Sequence, residues 1–125
     1  MEQGDFFFNK ACPEVPSHPW IILSDPTLNE SDVLIVNLTD AAKHHDASCE
    51  LTSSDHFGIT KPSRVAYQFA KVTSVEKLQA AFGAGLMFNK SQLSQATLGK
   101  VLDGARDTDE LKNAHRELLR RQNLI

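Results

Sequence analysis

The chain has 125 residues, 13 lysines and arginines against 16 aspartates and glutamates, a formal net charge of -3 and 41% hydrophobic residues. A chain of this size builds one core without disulfide or metal staples, and its mild acidity excludes a uniformly basic protein that grips nucleic acid mainly by neutralising phosphates, though not a local basic patch. Glu2, Asp5 and the short apolar run Phe6-Phe7-Phe8 match neither a signal peptide nor a membrane helix, so a cytoplasmic protein away from membranes is expected, with Cys12 and Cys49 as reduced thiols.

The first half is written in strand grammar. Trp20 to Leu23 predicts a strand, Asp25 to Asp32 a polar turn, and Val33 to Leu38 a second strand whose near-continuous apolar run implies cover on both faces. These two should pair as an antiparallel hairpin. A polar stretch, Thr39 to Ala47, leads to a short strand around Ser48 to Leu51, and Arg64 to Val72 forms a longer one after Gly58 and Pro62. The Phe triplet makes a fifth strand, and residues 1–17 are expected to be an N-terminal extension holding an edge strand ahead of a single domain over 18–125.

The second half changes period. Thr73-x-x-Glu76 spells a capping box for a short helix with Val75, Leu78, Ala81 and Phe82 on one face, stopped by Gly83 and Gly85. Leu86 to Phe88 predicts a last strand, and Ser91 a cap for a helix carrying Leu98, Val101, Leu102 and Ala105. Asp107-Thr108-Asp109 interrupts that helix and offers a fresh cap for a second one, with Leu111, Ala114, Leu118 and Leu119 as its stripe. The expected class is α+β: a small barrel-like sheet of about five strands, a short inserted helix and a C-terminal helical pair.

From His18 onward, four segments resemble the PemK/MazF family of bacterial toxins. They are His18 to Ser24, Val33 to Thr39, the turn Gly58-Ile59-Thr60-Lys61-Pro62 entering the long strand, and Phe69-Ala70-Lys71-Val72 before the short helix. Cys49-x6-His56 followed by Ser63-x-Val65-x-Tyr67 is similar to a divergent branch near those toxins that carries an Asp-His-Pro-Phe-Ile type loop. The resemblance implies an SH3-like barrel, cleavage of single-stranded RNA without metal, a protein antitoxin as partner and a homodimer. In the toxins an Arg precedes the strand-opening Pro and acts with a Thr ending the next strand, or else an Arg and an Asp on the long strand act. Here those positions hold His18, Thr39, Ala66 and Gln68.

Cleavage by 2′-OH attack needs a base for the hydroxyl, an acid for the leaving oxygen and donors for the phosphorane. Histidine as a residue type suits the first two tasks, which are given to His18 and His56, with Thr39 positioning the phosphate or the 2′-OH. Lys43 and His44 offer RNA contacts after the second strand. Strand alternation places Tyr67 with Phe69 and Lys71 on a mixed face where a base stacks. His115, between Ala114 and Arg116, has no partner chemistry.

Two alternatives stay open. His18, Cys49 and His56 offer two imidazoles and a thiolate that zinc accepts, although no CxxC, HxH or HExxH spacing supports it. The missing Arg and net acidity also fit an inactive barrel that works as a binding module in a toxin-antitoxin or phage-host setting.

Overall fold

The computed structural model describes residues 1–10, 17–28 and 32–125. Its strands are β1 Asp5–Asn9, β2 Pro19–Ile22, β3 Asp32–Asp40, β4 Glu50–Leu51, β5 Ser63–Ser74 and β6 Met87–Gln92, and its helices α1 Val75–Gly83, α2 Gln95–Asp107 and α3 Asn113–Arg121. The strands form one curled antiparallel half-barrel in the order β4-β5-β3-β2-β1-β6. The class is therefore the α+β arrangement expected. No helix among the described residues is long and apolar enough to cross a membrane. Cys12 lies outside the described residues.

The hairpin expectation holds, since β2 pairs β3 with Ile21 opposite Val36. Val33 to Leu38 are all buried because each face of β3 has its own core. Phe6, Leu34, Val36 and Leu38 pack with Leu98, Val101, Ala105 and Leu119 beneath α2 and α3. Phe7, Ile22, Val33 and Ile35 pack with Leu78 of α1 on the opposite face. The Phe triplet departs from expectation for the same reason: among the described residues β1 lies between β2 and β6, not at an edge. Phe6 and Phe7 are both fully buried on opposite faces, which requires cover on each side.

Three caps differ from the sequence reading. Ser74, not Thr73, caps α1 by accepting from the Lys77 N–H, and Ser94, not Ser91, caps α2 by accepting from Thr97. The Asp107-Thr108-Asp109 triplet ends α2 instead of starting α3, whose N-cap position is Lys112. Thr108 is consumed elsewhere, because its hydroxyl donates to the buried carboxylate of Asp46 at 2.6 Å. Arg116 then ties α3 to the end of α2, donating to the carbonyls of Ala105 at 3.0 Å and Thr108 at 2.7 Å.

One irregularity positions the site. Between Ile35 and Asn37 the β3–β5 register shifts, with Ile35 opposite Lys71 and Asn37 opposite Ala66, so β5 carries extra residues around Tyr67 to Ala70. Side-chain parity changes across this bulge. Val65, Tyr67 and Ala70 all belong to the core under α2, whereas Phe69 is 54% exposed.

Candidate functional site

At one end of the sheet the close of β1, the lead into β2, the close of β3 and the start of β5 surround a cleft of about 580 Å³. The β2–β3 register of Trp20 opposite Asn37, continued two residues along each strand, carries His18 to the level of Thr39. Thr39 in turn stands opposite Arg64 on β5. One row across the sheet therefore holds an imidazole, a hydroxyl and a guanidinium drawn from segments far apart in sequence.

His18 is fixed on both sides. Its backbone N–H donates to Asn9 Oδ1 at 2.7 Å, and its Nδ1 lies 3.3 Å from the Leu38 carbonyl, an atom that only accepts. The proton therefore sits on Nδ1 and Nε2 is the basic nitrogen. Thr39 Oγ1 and Asn37 Oδ1, on the same face of β3, are buried without a hydrogen-bond partner among the described residues. Such atoms are rare in folded proteins and mark a place where the fold has not spent its polar groups.

The loop after β3 supplies the charge. The Ala42 N–H donates to Asp40 Oδ1 at 3.0 Å and Lys61 Nζ lies 3.1 Å from Asp40 Oδ2. That backbone bond first, and Lys61 second, hold the Asp40 carboxyl below its usual range. Lys43, also on the cleft, has no carboxylate partner among the described residues. Arg64 donates to the His44 carbonyl at 2.8 Å and pairs Glu50 at 3.3 Å, which clamps this loop to β5. His44 is buried with its Nε2 unpartnered among the described residues. Burial first, and neighbouring His45 second, push its pKa down. His45 is exposed at the rim and bonds Glu110 at 2.5 Å.

The cleft thus gathers His18, Thr39, Lys43 and His44. Gln68 lines it too, whereas His56, Tyr67, Lys71 and Cys49 lie elsewhere. His56 is packed with its ring 4.2 Å from that of Phe6 and is not among the residues lining the cleft, which the following segment from Gly58 to Lys61 does line. The Gly58 N–H donates to His56 Nδ1 at 2.9 Å, so Nε2 carries the proton and donates to Ser91 Oγ at 3.0 Å. Burial lowers its pKa, opposed by a backbone bond to Gln92. A ring with both nitrogens committed is a structural histidine, not the second proton carrier at the cleft.

Tyr67 is buried, and its hydroxyl donates to the Val101 carbonyl of α2 at 2.7 Å, so it offers no stacking face. Lys71 lies on the outer face, its ammonium 4.9 Å from the Trp20 ring centroid. Cys49 packs in the core beneath α2, where burial pushes its thiol up to about 11. The zinc set of His18, Cys49 and His56 is not assembled, and no group of three or more His, Cys, Asp or Glu able to hold a metal occurs among the described residues.

Sequence reasoning misplaced Phe69 and missed Lys61 and Arg64. Phe69 was assigned to the face of Tyr67 by simple alternation, which the β5 bulge reverses. Lys61 and Arg64 both sit in the Gly58 to Val65 segment, beside a turn whose approach to Asp40 and His44 no local pattern encodes.

No protein-family model matches the chain, and no curated protein matches it. Among solved structures, an endoribonuclease in complex with its cognate antitoxin from a mycobacterial species superposes with a TM-score of 0.55 at 16% identity, covering 90% of this chain and 95% of that one. At that identity the likeness is one of fold.

Proposed function

We propose that the chain is a toxin-type endoribonuclease of the PemK/MazF kind that cleaves single-stranded RNA in this cleft by acid/base chemistry, without a metal ion. The observation that carries the reading is the meeting of His18, Thr39 and the cations Lys43 and Lys61 at one end of the sheet. The fold likeness to an endoribonuclease bound to its antitoxin supports the same class.

His18 Nε2 takes the proton of a 2′-hydroxyl, whose oxygen attacks the adjacent phosphorus. Thr39 hydrogen-bonds a phosphate oxygen, and Lys43 and Lys61 neutralise the charge that builds on the phosphorane. The bond to the 5′-oxygen breaks, and that oxygen takes a proton from His45, which stands at the rim as an exposed imidazole. The products are a 2′,3′-cyclic phosphate and a 5′-hydroxyl. His45 replaces His56 in this role because His56 is outside the cleft. A protein antitoxin and a homodimer belong to the same proposal.

Incubating the protein with mixed-sequence RNA, with and without EDTA, tests it. The expected result is cyclic-phosphate ends that EDTA does not affect, lost in His18→Ala by roughly 10²–10⁴-fold with an unchanged melting temperature. Absence of cleavage under every condition favours the binding module instead, and cleavage retained in His18→Ala removes His18 from the mechanism.

A further inference from the structure

Beside the cleft lies a second hollow of about 400 Å³, built from β1, β6 and the loop before β5, and lined by Phe8, His56, Phe57, Lys90 and Ser91 among others. It shares Phe8 and Gly58 with the cleft. We propose that this hollow is a nucleobase subsite for the same RNA strand, in which the open face of Phe57 stacks a base next to the nucleotides held at His18. The proposal rests on the reading of the cleft as an RNA site.

The rings are arranged for stacking before any ligand arrives. The His56 ring is 4.2 Å from Phe6 and 4.4 Å from Phe57, at interplanar angles of 33° and 25°. Phe6 is fully buried while Phe57 is 81% exposed, so the stack begins in the core and ends on an unfilled aromatic face. Water contact over that much ring is unfavourable, and a flat base removes it. Phe8 and Phe88 form a second stacked pair 6.0 Å apart at 22°, and Phe88 is 39% exposed.

Polar groups in the hollow suit a nucleotide better than an apolar peptide. Because His56 donates to Ser91 Oγ, the Ser91 hydroxyl proton is free to donate to a base edge. Asn89, held at φ 55°, adds an amide, and Lys90 is paired only loosely with Asp5 at 4.0 Å. Continuity decides the occupant. Gly58 and Phe8 line both hollow and cleft, so the two are contiguous, and a Cβ at Gly58 would stand 2.6 Å from the buried Phe6 Cε1, which keeps this shared wall without a side chain.

The test is fluorescence anisotropy with a 5′-fluorescein 2′-O-methyl RNA of about eight nucleotides, which lacks the attacking hydroxyl. Phe57→Ala should weaken binding by roughly tenfold, and Phe57→Trp should restore it. A labelled dinucleotide should bind the wild type and Phe57→Ala alike. Abasic nucleotides walked along the octamer should weaken wild-type binding at one position and leave Phe57→Ala indifferent there. Unchanged octamer affinity in Phe57→Ala, with a loss in Lys43→Ala, overturns the subsite, keeps the cleft, and leaves the exposed ring to a protein partner. Failure of the wild type to bind the octamer overturns both readings.

Discussion

Gly104 shows how closely single atoms are specified where α2 crosses the sheet. A Cβ at this position would fall 2.3 Å from the Tyr67 hydroxyl, 2.7 Å from Cys49 Cβ and 3.1 Å from the Ser48 carbonyl. Two of these neighbours are a fixed β-carbon and backbone, and the third is locked by its bond to Val101. Gly104→Ala should therefore lower the unfolding free energy by about 1–3 kcal/mol despite its gain in helix propensity, as a urea titration would show. A Gly104→Ala protein more stable than the parent would mean that α2 packs differently. This glycine was unremarked in the sequence because its need is a contact with residues more than thirty positions away.

The C-terminal helices depend on a clamp at the scale of whole elements. The last carbonyls of α2 have no partners inside the helix, and the guanidinium of Arg116 reaches Ala105, Arg106 and Thr108 together. Arg116→Met keeps much of the side chain's length and removes the donors, so it should cost about 1.5–3 kcal/mol, read from the same titration. Arg116→Lys should recover part of this, since one ammonium does not reproduce the fork. The existence of both helices was legible from their apolar stripes at Leu98, Val101 and Ala105 and at Leu118 and Leu119. Their caps were not, because Ser91 and Thr108 are drawn into bonds with His56 and Asp46 that only packing creates.

Across the whole molecule, three histidines control behaviour in acid. Burial holds His44, His56 and His115 below the usual value of 6.5. The folded chain thus binds fewer protons than the unfolded one just below that pH. Their contribution is complete above 6.5 and is lost as pH falls through the lower folded values. The urea midpoint should drop between pH 7.5 and pH 5.5 with an unchanged slope, and His56→Gln should flatten part of that drop. A second loss follows below 3.8, where Asp40, Asp46 and Asp55 are held down by hydrogen bonds and ion pairs. A midpoint indifferent to pH across the upper window would show that these imidazoles are solvated.

The sequence by itself determined the class and the hairpin of β2 and β3, whereas the placing of His18 beside Thr39 at one end of the sheet was only implied by the family resemblance. The first two follow from apolar period, breaker residues and antiparallel register, all of which are local or nearly so. Tertiary structure alone decided that β1 is an interior strand and that the β5 bulge buries Tyr67 while turning Phe69 toward the cleft. It also decided that His56 packs on Phe6 and Cys49 is buried beneath α2, with no metal-holding group of three or more ligands assembled among the described residues. The reason is physical: a bulge or a loop's landing place is set by which cavities the remaining chain leaves to fill, and that information is spread over contacts distant in sequence.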